Sequence, residues 1–429
     1  MKILVIGSGG REHALVWRLK KTSRVRKVFA APGNAGIGLL ANLVNIKADN
    51  IKGLANFAEK NRINLTVVGP EVPLATGIVD EFNKRKLRIF GPTKKAAEIE
   101  SCKAFAKEFM RKYHIPTAPF QTFTEAPEAV SFVQSATMPV VIKASGLAAG
   151  KGAVVVEDRD EAIRTIENMM TKKIFGAAGS KVVIETYLEG QELSVMAFTD
   201  GRTARLMLPS QDHKQIGEGD TGPNTGGMGA YCPADFFDKP TMDFIREQII
   251  ERTIQGLAKE GRKYQGVLYA GLMLTATGPK VVEFNCRFGD PEAQAVLPLL
   301  KTDLTEILMA VTDNKLSSIK ELKWHDGAAA CVVLASKGYP GKYKTGRKIQ
   351  GLRNYSDKKT QLFHAGTRRE GRQWLTAGGR VIGVTSMGKD LSAALNTAYG
   401  IIGGIKFEGK TYRGDIGHKA KVMVRMEEV

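Results

Sequence analysis

The chain has 429 residues, with 63 Lys and Arg against 44 Asp and Glu, and therefore a formal charge of +19. At 43% hydrophobic and 25% charged residues it falls in the ordinary globular range, which excludes disordered and fibrous classes. A chain of this length is expected to divide into roughly two to four units, each able to bury a core. Met1-Lys2 leads into an apolar run too short for a secretory signal. The longest uncharged stretch, 28–46, contains Pro32 and several Gly and Asn residues, so no membrane span is expected. Cys102, Cys232, Cys286 and Cys331 form no CxxC pair, which reads as reduced thiols of a cytoplasmic protein without a disulfide frame or zinc site. The surplus of positive charge leaves two partner classes open, nucleic acid or small polyanions such as phosphates.

Strand-like runs at 2–6, 25–30, 65–68 and 86–90 are separated by helical spacing at 11–21 and 51–60. Strands alternating with helices imply parallel crossovers and a covered sheet. Gly- or Pro-rich turns at 7–10, 32–34, 69–71 and 91–93 follow these strands, and ligands of such sheets bind outside the strands' carboxyl ends. One long helix is predicted over 94–113. Beyond it come strands at 139–145 and 153–158, then 181–188, 192–200 and 205–211. Helices are expected near 160–173 and 241–260, with a hairpin at 266–275 and 280–285. From Trp324 the pattern is strand-rich again (328–336, 361–365, 380–385), with a helix at 391–400. The fold class is multidomain α/β and α+β, with an amino-terminal parallel domain, a central catalytic unit and a carboxy-terminal strand-rich domain.

Gly7-Ser8-Gly9-Gly10 follows a strand and opens a helix, as a dinucleotide fingerprint does. The third fingerprint position is Glu12, however, and no Asp or Glu lies between Glu12 and Asp49 to hold a ribose. A tight turn and a phosphate on the helix amino terminus beside Arg11 are the two remaining readings. Residues 146–152 place Lys151 in a GxxxGK spacing, one residue short of a P-loop and followed by a strand. They read as a glycine hairpin that either links two strands or folds over phosphates with its backbone N–H groups. Lys143, in the apolar run from 139, must reach solvent or meet an anion.

Period two places Glu283, Asn285 and Arg287 on one strand face. A carboxylate and an amide oxygen two residues apart suit magnesium carrying substrate phosphates, and Arg287 suits a carboxylate or phosphoryl group. An exposed polar face is the alternative. The six glycines of 217–229 fit either disorder or a substrate loop whose backbone approaches a ligand closely. Gln211-Asp212-His213-Lys214 concentrates polar chemistry just before it. No HExxH or GxSxG pattern occurs, so neither zinc nor serine chemistry is indicated.

In chain order, VIGSGGREHAL (5–15), APGNAG (31–36), VVGPEVPL (67–74), CKAF (102–105) and IKASGLAAGKG (142–152) resemble the glycinamide ribonucleotide synthetase family of the ATP-grasp superfamily. SQDHK (210–214), DTGPNTGGMGAY (220–231), LYAGLM (268–273), EFNCRFGDPE (283–292), GYPGKYKTG (338–346) and HAGT (364–367) extend the resemblance over essentially the whole chain. It implies an amino-terminal α/β substrate domain (1–115), an ATP-grasp lid (116–190), an ATP-grasp central domain (191–323) and a carboxy-terminal domain (324–429). The chain stops at Val429, so the resemblance is to the form without fused purine enzymes. The implied reaction joins glycine to 5-phosphoribosylamine through glycyl phosphate, with ATP becoming ADP and phosphate.

The resemblance implies Lys103 and Lys143 on the ATP phosphates, with Gly150, Lys151 and Gly152 closing over them. It implies Glu185, Tyr187 and Leu188 in the adenine hinge, Glu192 on the ribose hydroxyls, and Lys214 also at ATP. Glu283 and Asn285 match ligands of Mg2+ (or Mn2+). Arg287 and Asp212 are the candidate catalytic residues. Gly9, Gly10, Arg11, Glu71, Thr225, Gly226 and Asp290 are the candidate substrate contacts. No residue stands out as the base that deprotonates the amine.

Three positions depart from the family pattern: Ser145 where Asp is expected, Cys102 where Ser is usual, and Thr186 where a second acidic residue is common. The rival within the superfamily is a ligase for another carboxylate or amine. The rival outside it is a nucleic-acid binder, disfavoured because aromatics are 7% and the basic residues are spread along the entire chain. The partners expected are thus small molecules, with neither nucleic acid nor membrane, in a monomer or weak dimer.

Overall fold

The computed structural model describes residues 1–148, 150–352 and 359–421; Ala149 in the predicted hairpin and the chain end at Val429 lie outside the described residues. The amino-terminal sheet has five parallel strands, β1 (Lys2–Gly7), β2 (Lys27–Pro32), β3 (Asn42–Leu43), β4 (Leu65–Val68) and β5 (Ile89–Phe90), in the order β3-β2-β1-β4-β5. Ile3, Leu4, Val5 and Ile6 are all fully buried, as a strand covered on both faces requires. Strand order reverses between β1 and β4, so their carboxyl ends open the crevice where such sheets bind ligands. The short strand β3 and two helices at Glu71–Thr76 and Ile78–Lys84 had no clear sequence signal.

The helix predicted over 94–113 is two helices, Lys94–Ser101 and Lys103–Lys112. Cys102 breaks it by adopting an extended conformation (φ −138°, ψ 98°). Ser145 takes over the amino terminus of the second helix: its carbonyl accepts from Lys103 N (2.7 Å) and its Oγ from Ala104 N (3.1 Å). This break aims Lys103 away from the first helix axis and toward residues 143–146.

Four antiparallel strands, in the order Phe120–Phe123, Val182–Thr186, Val140–Ala144 and Ala153–Val156, form a sheet with its own core around Ile142, Val156, Ile166 and Ile184. The segments 181–188 and 192–200 thus separate: Val182–Thr186 belongs to this sheet, whereas Gln191–Thr199 joins Ala204–Leu206, Gly266–Thr275 and Gly278–Asn285 in another. A fourth sheet crosses the chain. Gln211–Asp212 and Gly229–Cys232 pair into the carboxy-terminal strands Ala328–Ser336, Arg380–Gly388 and Thr360–His364. The 217–229 segment is ordered, with Gln215–Gly217 and Thr221–Asn224 forming a small hairpin. Among the described residues no helix is long and apolar enough to cross a membrane.

Candidate active site

A cavity of about 610 Å³ lies where the last three of these sheets and the amino-terminal loops converge. Nearly every sequence-predicted site residue lines it, from Arg11 and Glu71 through the hairpin residues Gly150, Lys151 and Gly152 to Asp290. Gly9 and Gly10 do not. They stand behind the wall, where a Cβ would meet Asp290 Oδ2 at 3.3 Å from Gly9 and Gln294 Nε2 at 2.6 Å from Gly10.

The crevice between β1 and β4 is filled by a side chain of the protein. The Glu12 carboxylate accepts from Gly9 N (2.6 Å) and pairs with Arg11 Nε (2.6 Å), and a Cβ on Gly69 would sit 2.1 Å from its Oε1. The residue that spoils the dinucleotide fingerprint therefore supplies the anion at the amino terminus of α1 (Gly10–Leu19). A phosphate approaching that terminus beside Arg11 would meet the Glu12 carboxylate first. Arg11 is committed to Glu12 and to the Phe288 carbonyl (3.1 Å), and only its cavity-facing part remains available.

On the opposite wall, Lys143 is buried and bonded to the Val282 carbonyl (3.1 Å). Its ammonium also meets the Glu185 carboxylate, which is shared with Lys107. An unpaired ammonium could not stay buried, so of the two sequence readings the anion-paired one holds. Desolvation lowers Lys107 to about 8 despite Glu185, and likewise lowers Lys103. Glu185 therefore contributes a side chain beneath Lys143 and Lys107, while Thr186, half-exposed Tyr187 and Leu188 line the neighbouring wall.

Glu283 and Asn285 face the cavity from one strand, with Asn285 Nδ2 3.5 Å from Glu283 Oε1. Against the desolvation of burial, Lys214, Lys103 and Lys143 hold the Glu283 carboxyl below its ordinary range. Arg287 joins this face: it donates to Asn285 Oδ1 (3.1 Å) and pairs with Glu71 (3.3 Å) and Glu100 (3.2 Å). Glu100 in turn accepts from Cys286 N at 2.8 Å. Burial raises Glu100, whereas Glu71, though also desolvated, is held low by Arg287 and then Arg11.

Asn224, Thr225 and Gly226 of the glycine-rich segment, with Asp212 and Lys214, form the remaining wall. Lys214 pairs with Glu192 (3.1 Å), and Thr225 Oγ1 donates to the Lys214 carbonyl (2.7 Å). Asp212 Oδ1 is enclosed without a hydrogen-bond partner. Carboxy-terminal residues hold this segment from outside. Arg380 bonds the Gly226 carbonyl and the Asp290 backbone (2.7 Å) and pairs with the Asp290 side chain (3.1 Å), while Tyr339 Oη accepts from Gly226 N at 2.9 Å. At the far turn, fully buried Arg413 pairs with Asp220 (2.8 Å) and Asp415 (2.7 Å). Order in so glycine-rich a tract comes from these clamps.

Sequence reasoning missed Lys107, Glu100, Glu292 and Arg380 in the cavity wall, and Arg413 behind it. Lys107 was legible as the residue one helical turn beyond Lys103. Glu100 and the two arginines reach the site only through pairings far apart in the chain.

Comparison with known proteins places this arrangement. Residues 1–100 match the family model described as phosphoribosylglycinamide synthetase, N domain; residues 101–293 match its ATP-grasp (A) domain and 329–419 its C domain. The phosphoribosylamine–glycine ligase of Caldanaerobacter subterraneus subsp. tengcongensis is 51% identical over 416 residues, covering 97% of this chain and 99% of that one. The trifunctional purine biosynthetic protein adenosine-3 of Gallus gallus is 50% identical over 422 residues, which are 98% of this chain but 42% of that one. The crystal structure of phosphoribosylamine–glycine ligase from Thermotoga maritima superposes with a TM-score of 0.86 at 32% identity, covering 97% of this chain and 100% of that one. With sequence, domain order and three-dimensional structure in agreement over nearly its whole length, the chain belongs to the phosphoribosylglycinamide synthetase family.

Proposed function

We propose that this cavity ligates glycine to 5-phosphoribosylamine, converting ATP to ADP and phosphate and yielding glycinamide ribonucleotide for purine biosynthesis. The observation that carries the reading is the convergence of Lys103, Lys143, the glycine hairpin and the Glu283–Asn285 pair on one cavity that the amino-terminal loops also enter. In this reading 1–115 form the substrate unit, 116–190 the lid, 191–323 the central ATP-grasp unit and 324–429 the unit that braces the substrate segment.

The chemistry has two steps. Glycine's carboxylate attacks the γ-phosphorus of ATP, ADP departs, and glycyl phosphate results; the amine of 5-phosphoribosylamine then displaces phosphate from the glycyl carbon. The first step drives two anions together, and Lys103 and Lys143 neutralise that repulsion and the spreading charge. The backbone of Glu185, Tyr187 and Leu188 receives adenine and Glu192 the ribose hydroxyls, with Lys214 between Glu192 and the phosphates. Gly150, Lys151 and Gly152 cover the phosphates and exclude water, which would hydrolyse the acyl phosphate. Lys151 Nζ, bonded to the Pro340 carbonyl at 3.0 Å, anchors that cover. Arg287 and Asp290 hold substrate near the reacting centre, Asp212 with Thr225 and Gly226 positions glycine and the amine, and Arg11 and Glu71, backed by the Gly9-Gly10 turn behind the wall, serve the phosphoribosyl end.

A divalent cation, Mg2+ or Mn2+, fits the donor set. Glu283 offers a half-buried carboxylate held in its ionised form and with no ion pair among the described residues, and the Asn285 amide oxygen keeps a second lone pair beyond Arg287. Bound there with phosphate oxygens, the ion would screen charge on the transferring phosphoryl group. The four free cysteines suit a reducing cytoplasm. Oligomeric state is proposed as monomer or weak dimer. Purified protein given ATP, magnesium, glycine and freshly made 5-phosphoribosylamine should release ADP only when glycine is present. Turnover with another amino acid but not with glycine would refute the substrate assignment.

A further inference from the structure

Eight carboxylates line the cavity, and their partners sort them. Glu71 and Glu100 meet Arg287, Glu185 meets Lys143 and Lys107, Glu192 meets Lys214, and Asp290 meets Arg380. Glu283 is the carboxylate suited to the metal and the phosphates. Buried Glu292 accepts hydroxyl hydrogen bonds from Tyr269 (2.5 Å) and Ser194 (3.4 Å). Asp212 alone forms no ion pair among the described residues and also keeps an enclosed oxygen, Oδ1, with no hydrogen-bond partner.

A buried acceptor without a donor is costly and usually marks a waiting partner. The backbone is shaped around this one. Gly227 adopts φ +103°, and a Cβ there would lie 2.7 Å from Asp212 Oδ1. Any other residue at 227 would both strain the chain and fill the space at that oxygen. Asp212 also stands between Lys214 and Glu192 on one side and Gly227, packed on Pro291, on the other.

Resting on the ligase reading above, we propose that Asp212 is the general base of the amide-forming step. As the amine nitrogen bonds to the glycyl carbonyl carbon, the carbon–oxygen bond to phosphate breaks and its electron pair leaves with the phosphate. The nitrogen gives up one proton, and the Asp212 carboxylate accepts it and later returns it to solvent. The electrostatic surroundings fit a proton acceptor. Burial and then the Glu292 carboxylate push the Asp212 carboxyl well above its usual range, Glu192 adds to this, and Lys214 and Arg380 oppose it. Among the described residues, Tyr269 and Cys331 also interact with its charge.

The test separates the two half-reactions. Hydroxylamine traps glycyl phosphate as glycine hydroxamate, while glycinamide ribonucleotide is measured directly. In Asp212→Asn, ligation should fall about 10²- to 10⁴-fold more steeply than hydroxamate formation. The acid limb of the wild-type pH profile for the amine, where the rate drops as Asp212 protonates, should vanish. Asp212→Glu should recover part of the ligation rate, and it serves as the readout if the Asn variant does not fold. Ligation and hydroxamate formation falling equally, or a ligation rate and pH profile unchanged in Asp212→Asn, would overturn the assignment. Failure of the ligase reading itself looks different: the wild-type protein would then form no glycine-dependent hydroxamate.

Discussion

Cys102 Sγ lies 3.5 Å from Ser145 Oγ, so two of the three departures from the family pattern are in contact with each other. Ser145 Oγ also accepts from Ala104 N, capping the helix that begins with Lys103. Ser145→Ala should cost about 0.5–2 kcal/mol, the ordinary worth of an amino-terminal cap, and should raise the KM for ATP by loosening Lys103. Ser145→Asp should keep both. Denaturant unfolding together with ATP titration checks this; an alanine variant matching the native protein in both would remove Ser145 from this role.

Glu185 neutralises two buried ammonium groups at once, those of Lys143 and Lys107. Removing it leaves both cations without a carboxylate, whereas removing Lys107 still leaves one intact pair. Glu185→Gln should therefore destabilise by about 3–5 kcal/mol, and clearly more than Lys107→Met. Urea unfolding of the two variants gives the comparison, and equal losses would mean that the pairs act independently.

Stability should fall as pH drops below about 6.5. His13 is buried, and desolvation followed by the neighbouring His364 lowers it to about 3; desolvation likewise lowers His213 to about 3 and His364 to about 4. Between those values and 6.5 the unfolded chain binds the protons that the folded chain refuses, so unfolding becomes easier with acid. Each histidine adds a slope of about 1.4 kcal/mol per pH unit. His13→Asn keeps an acceptor for His364 N, which bonds His13 Nδ1 at 2.9 Å. That variant should flatten the stability–pH curve between pH 7 and 5, and an unchanged slope would exclude His13 as a contributor.

Glu283→Gln should lower kcat by about 10²-fold or more with a melting temperature close to that of the native protein. The carboxylate lies among Lys214, Lys103 and Lys143 and forms no ion pair among the described residues, so in the proposed reading its charge holds the cation rather than the fold. Retained activity would take Glu283 out of the metal site.

The parallel amino-terminal sheet and the Glu283–Asn285 strand were legible because periodicity and turn residues report on local backbone. The site itself was legible only where chemistry clustered in a short stretch, as at 142–152 and 283–287. Arg380, Arg413 and Tyr339 left no such trace, because each acts on the 215–229 segment, more than a hundred residues away in the chain. Glu12 was visible but misleading: as a failed glycine position it argued against a dinucleotide, while its carboxylate proved to be the structural anion of the crevice. Cys102 read as helix interior because its break depends on Ser145, which comes much later in the sequence.

Transfer of oxygen tests the central claim most directly. With glycine labelled by 18O in its carboxylate, ATP, magnesium and 5-phosphoribosylamine, the account predicts one labelled oxygen in each phosphate released. It also predicts glycinamide ribonucleotide and ADP in equal amounts. Phosphate free of label, or ADP formed without a glycine-containing product, would contradict ligation through glycyl phosphate at this site.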